Sequence, residues 1–168
     1  MKEKRDLVAG WTVLIVDDEP DSLEVAGRVL KYWGMNVHMA ANGKEALGIV
    51  DKVMPTIILS DLSMPEMDGW ELLHYLRDHP ATHEIPVVAL TAHAMLGDRD
   101  RAMKVGFDGY LTKPLSPRSF IDDLLEALTE QTVSRLAKPA ISDHRQLVNQ
   151  VSGPDKGNDN GQLARSRD

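Results

Sequence analysis

Four stretches of the chain end in residues that could act together on one substrate. Val13-Leu14-Ile15-Val16-Asp17-Asp18-Glu19 is an apolar run closed by acids, and Ile57-Ile58-Leu59-Ser60-Asp61 closes on a single Asp before Met64-Pro65-Glu66-Met67-Asp68-Gly69. Val87-Val88-Ala89-Leu90-Thr91-Ala92 closes on a hydroxyl, and Tyr110-Leu111-Thr112-Lys113-Pro114 on Lys-Pro. Aspartate oxygens are hard ligands, and magnesium is bound by a few carboxylates together with waters and phosphate oxygens. Asp17, Asp18 and Asp61 can supply such a half-open set. The cation would offset repulsion between these acids and an incoming phosphoryl group. Asp61 could then act as a nucleophile and form an acyl phosphate, with the Lys113 ammonium as a point charge for phosphate.

These residues cooperate only if the runs that carry them lie side by side. Strand-like and helix-like patterns alternate five times. The strands read as Thr12–Val16, Met35–Ala40, Thr56–Ser60, Pro86–Thr91 and Gly109–Leu111. The first, third and fourth are nearly unbroken Val/Ile/Leu runs, as expected of strands buried on both faces. The second and fifth are more mixed and suit the sheet edges. The first helical pattern begins at Pro20, with Leu23, Ala26, Val29, Leu30 and Trp33 on one face and Gly34 at its stop. Gly43–Val53 turns Ala46, Leu47, Ile49 and Val50 inward, and Trp70–Arg77 does so with Leu72, Leu73 and Leu76. Met95–Val105 is ended by Gly106. Ser116–Gln131 has Ser116 as N-cap, Pro117 in its first turn, and a stripe of Phe120, Leu124, Leu125 and Leu128. Five such units joined by right-handed crossovers predict an α/β fold, a parallel sheet with helices on both faces. All the polar strand ends then share one edge, where α/β proteins hold their ligands.

Composition narrows the partners. The chain has 168 residues, enough for one domain and an extension, and 42% hydrophobic content supports a real core. A net charge of -7 opposes nonspecific binding to nucleic acid or an anionic membrane. Residues 1–131 hold 13 Lys/Arg against 22 Asp/Glu, a balance of -9, whereas residues 132–168 hold 6 against 4, a balance of +2. The absence of cysteine excludes disulfides and thiol catalysis. Met-Lys-Glu-Lys-Arg-Asp lacks the apolar stretch of a signal peptide, and no apolar run approaches the roughly 20 residues that span a bilayer. A cytoplasmic protein is therefore expected. Beyond Thr132 the periodic pattern fails. Ser134–Val148 has scattered apolar residues, compatible with a short helix and broken by Pro139, and Val151–Asp168 is too polar to offset its ordering entropy. The expected organisation is an extension over 1–10, a domain over 11–131 and a largely disordered polar tail over 132–168.

In residue type, order and spacing, these motifs resemble the receiver domain of the two-component response-regulator family, of the stand-alone single-domain type, over about Thr12 to Gln131. The resemblance implies a flavodoxin-like doubly wound (βα)5 sandwich with sheet order 2-1-3-4-5. It casts Asp61 as phospho-acceptor, Asp18 as a direct metal ligand, Asp17 as a ligand acting directly or through water, and the Ser63 backbone carbonyl as another. Thr91 resembles the switch hydroxyl that turns toward the phosphoryl group, and Tyr110 the aromatic that changes rotamer with it. Lys113 resembles the phosphate-binding lysine, and its bond to Pro114 is expected to be cis. The implied cofactor is Mg2+. The implied partners are a histidine kinase or histidine phosphotransfer protein as donor and a downstream protein target, with a phosphorylation-dependent homodimer as a further form and no nucleic acid or membrane. The resemblance describes a phospho-acceptor that promotes its own phosphorylation and dephosphorylation rather than an enzyme in the ordinary sense.

Two readings stay open: a stand-alone phospho-switch, and a phosphorelay intermediate that passes its phosphoryl group to another histidine. Val88 to Met95 resembles receivers of both stand-alone regulators and hybrid kinases. An aspartyl-phosphate hydrolase usually has a second Asp two residues after its nucleophile, where this chain has Ser63. The 37 residues after Gln131 are too few and too polar for an added helix-turn-helix domain. Glu19, Asp21, Glu66 and Asp68 read as solvated or capping residues. His79 and His83 have zinc-like spacing on a helix, but Pro80 and Pro86 make them loop residues. His93 either tunes access at the site mouth or faces solvent. Met35, Met54 and Met103 read as gap-filling core, and Met95 and Leu96 start a helix either on a face this family often uses for partners or packed into the core. No glycine-rich phosphate loop of the Walker or dinucleotide type is present.

Overall fold

The three unbroken apolar runs become the three central strands. The computed structural model describes residues 1–92 and 97–137. Its strands are β1 (Thr12–Val16), β2 (Asn36–Ala40), β3 (Ile57–Asp61), β4 (Val87–Thr91) and β5 (Gly109–Thr112). All neighbouring pairs are parallel, in the order β2-β1-β3-β4-β5. This is the flavodoxin-like order implied by the resemblance, with the mixed strands β2 and β5 at the edges. The helices are α1 (Lys2–Val8), α2 (Pro20–Tyr32), α3 (Gly43–Val53), α4 (Gly69–Asp78), α5 (Asp98–Val105), α6 (Phe120–Ala127) and α7 (Glu130–Ala137).

Successive strand residues point to opposite faces, and two cores result. Val13, Ile15, Ile57, Leu59, Val88 and Leu90 meet Leu30 of α2 and Phe120 and Leu124 of α6. Leu14, Val16, Ile58, Val87 and Ala89 meet Val50 of α3, Leu72, Leu73 and Leu76 of α4, and Ala102 of α5. The crossovers thus bury both sides of one sheet and leave its C-terminal edge to the loops.

Several boundaries differ from the sequence reading. The segment before β1 is a helix whose Val8 joins the core together with Trp11, and Lys4 of α1 pairs with Asp122 at 2.6 Å. The helix expected over Ser116–Gln131 is two helices. Leu128, buried to 6% exposure, takes extended backbone (φ -92°, ψ 149°), and the Thr132 N–H donates to the Thr129 hydroxyl to restart the coil. The residue at the α6 N-cap is Ser119, with no side-chain cap bond, because its hydroxyl donates to Asp123 instead. Met35 is core as expected, but Met54 and Met103 are 47% and 40% exposed. Met54 caps α3 in left-handed backbone (φ 47°, ψ 71°), which turns it away from the interior. His79 and His83 each bond a backbone carbonyl, of Tyr75 and Pro80. The expected helix start at Met95, with His93 and Leu96, lies outside the described residues, as does the tail from Lys138; residues 132–137 of that expected tail are helical in α7.

One structural residue had no sequence signal. Arg77 of α4 donates to the carbonyls of His83, Ile85 and Gly106 and to the Asp108 carboxylate, while Asp108 also accepts the Val87 N–H. This fork ties α4 to the start of β4 and to the loop entering β5. No helix among the described residues is long and apolar enough to cross a membrane.

Leu59 lies at the centre of the sheet with no exposure. Leu59→Ala should lower stability by about 2–5 kcal/mol through lost transfer energy and a residual cavity. Urea unfolding should show a reduced midpoint with an unchanged slope. Val105→Ala, at a site 54% exposed, should stay within about 0.5 kcal/mol of the parent.

Candidate functional site

The strand registers assemble the polar ends. Val16 pairs with Ser60 across β1 and β3, so Asp17 and Asp61 follow at the same level. Asp61 pairs with Leu90, and Thr91 with Thr112. The Lys113 N–H continues the last ladder by donating to the Thr91 carbonyl at 2.7 Å. Asp17, Asp18 and Asp61 offer carboxylate oxygens that all lie within 4.8 Å of one another. Asp17 and Asp61 are 1% and 7% exposed, and Asp18 is open to solvent.

The Lys113 ammonium lies between the two buried acids. Its Nζ donates to Asp61 Oδ2 at 2.8 Å and makes an ion-pair contact of 2.6 Å with Asp17 Oδ2, outside hydrogen-bond alignment. The other oxygens face backbone: the Glu19 N–H donates to Asp17 Oδ1 at 2.9 Å, and the Ser63 N–H donates to Asp61 Oδ1 at 3.0 Å. Burial pushes the Asp17 carboxyl pKa up, and the charge of Asp61 adds to this, against the pull of Lys113 and the Glu19 amide. Burial would pull the Lys113 ammonium down, but its close contacts and charge interactions with Asp17 and Asp61 outweigh this and the pKa is raised. Two buried carboxylates thus share one cation in a partly desolvated place, with a third carboxylate beside them. All donors are hard oxygens and one is open to solvent, which fits a magnesium ion that keeps some positions for water and phosphate oxygens.

The segment leaving β3 is held close to the acid. A Cβ on Gly69 would lie 2.2 Å from the Asp61 carbonyl oxygen, so only glycine lets α4 start there. Asp68 and Glu71 form a reciprocal capping box at that start. Between them and Asp61, the Met67 N–H closes on the Pro65 carbonyl at 2.8 Å, a three-residue turn centred on Glu66 with φ +65°. Such backbone costs on the order of 1–3 kcal/mol in a non-glycine residue.

Thr91 is buried at the end of β4, and the Lys113–Pro114 bond is cis. The Tyr110 hydroxyl is buried with no hydrogen-bond partner among the described residues. Burial pushes its pKa up; the nearby Thr91 hydroxyl offsets part of this without reaching hydrogen-bond alignment, and the charge of Asp98 adds to it. The expected residues Asp17, Asp18, Asp61, Ser63, Thr91 and Lys113 therefore gather at one edge, with Tyr110 on the adjoining strand. The sequence reading missed the Glu19 amide, the Asp17–Lys113 pair and the space requirement of Gly69, which become legible only once the loops are in place. It also missed a groove of about 460 Å³ beside Lys113, lined by Glu19, Ser22, Val25, Pro114 and Leu115 among others.

Comparison with known proteins gives one consistent result. A family model described as the response regulator receiver domain matches residues 13–129. An uncharacterised 14.6 kDa protein of Leptolyngbya boryana is 41% identical over 114 residues, 68% of this chain and 87% of the relative. The polar-differentiation response regulator DivK of Brucella anthropi is 34% identical over 113 residues, 67% of this chain and 92% of DivK. The high-resolution structure of chemotaxis response regulator CheY4 of Vibrio cholerae superposes with a TM-score of 0.66 at 30% identity, covering 71% of this chain and 100% of CheY4.

The raised Asp17 pKa has a signed consequence. Between its ordinary value of 3.8 and its higher native value, the folded protein binds more protons than the unfolded chain. Asp17 therefore makes stability fall as pH rises through that window. In metal-free urea unfolding, the difference between Asp17→Asn and the parent should move in the variant's favour as pH rises above about 4, then level off. A difference independent of pH would contradict this assignment.

Proposed function

Because the chain belongs to the response regulator receiver domain family, we propose that it is a single-domain phospho-switch whose acceptor is Asp61. The observation that carries this reading is the Lys113 ammonium held against Asp61 and Asp17 at a strand edge that also offers three clustered carboxylates. The donor is a phosphohistidine of a histidine kinase or histidine phosphotransfer protein. An Asp61 carboxylate oxygen attacks phosphorus. The new O–P bond forms as the P–N bond breaks, and the imidazole leaves with that bonding pair and takes up a proton. The groove beside Lys113 supports the reading, because it gives a donor protein somewhere to seat next to the acceptor.

Asp17, Asp18, Asp61 and the Ser63 carbonyl would hold Mg2+, which when bound neutralises part of the charge on the phosphoryl oxygens. The rest falls to the chain's own groups. The Ser63 N–H keeps one Asp61 oxygen oriented. Lys113, displaced from Asp61 Oδ2 by the phosphoryl group, pairs with a phosphoryl oxygen. Thr91 donates its hydroxyl to another, and Tyr110 moves into the space this leaves. These contacts exist only in the modified state, as a population shift requires. The altered surface then binds a protein target in the cytoplasm. DivK, of which the chain covers 92%, supports the single-domain form. A hydrolase reading gains no support, because position 63 supplies a serine rather than a second acid.

Acetyl phosphate with Mg2+ should add one phosphoryl mass to the parent protein and none to Asp61→Asn. Equal labelling of the two would refute the acceptor assignment. Transfer of the label to a histidine of a second protein, without any change in target binding, would turn the reading toward a phosphorelay intermediate.

Thr91→Ala should still take the phosphoryl group but respond less. The measurement is amide chemical shifts over residues 97–126 with and without a beryllofluoride phosphate mimic. Parent and variant shifting alike would remove Thr91 from the coupling.

A further inference from the structure

The acidic donors come from two chain segments, Asp17 and Asp18 after β1 and Asp61 to Ser63 after β3. The ladder sets their relation only as far as Val16 and Ser60. Beyond it, one short stretch reaches both. The Asp17 N–H donates to the Ala40 carbonyl at 3.1 Å, and the Gly43 N–H donates to the Met67 carbonyl at 3.0 Å. Residues 40–43 join β2 to α3, and they are braced. The Asn42 side chain accepts the Glu45 N–H at 2.9 Å, and the Ala41 N–H donates to Glu45 Oε2 at 2.8 Å.

The other hydrogen bonds of the segment from Leu62 to Gly69 are internal or sit at its ends. The Leu62 N–H donates to Leu90, the Ser63 N–H to Asp61, the Met67 N–H to Pro65 and the Gly69 N–H to Leu62. Among the described residues, the Gly43–Met67 bond is the one that ties the middle of this segment to another part of the chain. We propose that Gly43 is a positioning residue for the acidic site: through it the turn 40–43 acts as a strut that spaces Asp17 and Asp18 from the segment carrying Ser63. This rests on the reading of those acids as a metal site.

The contact geometry makes glycine necessary. A Cβ at position 43 would lie 2.6 Å from Met67 Cγ, 2.9 Å from the Met67 carbonyl oxygen and 3.0 Å from Met67 Sδ. The side-chain atoms could swing aside, but the carbonyl oxygen is the acceptor of the strut itself. An alanine must therefore displace the backbone of the segment. Gly48 in the same helix has nothing within 4 Å of its Cβ position. It provides the same chemical change without the push. Val50, 1% exposed on α3, provides destabilisation of the helix at a residue outside the 40–43 turn.

The test compares the full-length parent with Gly43→Ala, Gly48→Ala and Val50→Ala at a temperature where each is folded. It records metal-free amide spectra and then titrates Mg2+. Gly43→Ala should shift the amides of Asp17, Asp18 and Ser63 to Met67 before any metal is added. It should weaken Mg2+ roughly tenfold or more, the scale seen when groups that orient metal ligands are altered. Gly48→Ala and Val50→Ala should do neither, and adding Met67→Ala to Gly43→Ala should restore part of the affinity by removing two of the three close contacts. Should Gly43→Ala not fold, Asn42→Ala slackens the same turn without added bulk and should weaken Mg2+ in the same direction. Unchanged Mg2+ affinity in the turn variants, or an equal loss in Val50→Ala, overturns the proposal. If the parent binds no Mg2+, the metal reading fails by itself, and the metal-free shifts decide the positioning claim: shifts in both acidic segments support it, and their absence overturns it.

Discussion

Two carboxylates, Asp17 and Asp61, face a single ammonium where almost no water reaches them. Buried charges are costly unless paired and hydrogen-bonded, and the site meets that condition narrowly. Each acid has one oxygen on a backbone N–H and the other against Lys113. A third carboxylate, Asp18, adds negative charge at the mouth. The balance leaves an excess of negative charge, which under the proposed function a divalent cation would relieve and a phosphoryl dianion would reorganise. A site with a fully satisfied charge balance would have little reason to respond to either.

The fold makes such a site affordable by placing it at the end of an apolar sheet. Val13 to Val16, Ile57 to Leu59 and Val87 to Leu90 are wholly buried, and they carry the acids and the hydroxyl to one edge in fixed register, with the lysine following from β5 beside β4. The residues beyond the ladder are positioned by loops instead. Gly69 lets α4 begin against the Asp61 carbonyl, and the turn at Glu66 stores local strain. Rigid strands fix where the reacting groups are, and strained, close-packed loops fix how they point. Strain of this kind is tolerated where the surroundings overdetermine it.

Most of this was legible in the sequence for identifiable reasons. Strands buried on both faces need long Val/Ile/Leu runs, so β1, β3 and β4 declared themselves, and the polar residues closing each run marked the edge. The break between α6 and α7 was not legible, because Leu128 continues the apolar stripe of the expected helix while its backbone leaves helical geometry. Helix α1 was missed because its exposed charged face hides a short apolar anchor, Leu7 and the buried Val8. Met54 was read as core from residue type alone, though its position after a helix stop turns it outward. The roles of Gly43, Gly69 and the Arg77 fork depend on which backbones approach one another, which no local pattern encodes.

Chemical trapping of the acyl phosphate is the most direct test of the central claim. The protein would be incubated with acetyl phosphate and Mg2+, reduced with borohydride, digested and mapped by tandem mass spectrometry. An aspartyl phosphate is reduced to homoserine, so the account predicts homoserine at position 61 and unmodified Asp at positions 17 and 18. Homoserine at either of those positions, or reduction nowhere in the chain, would contradict it.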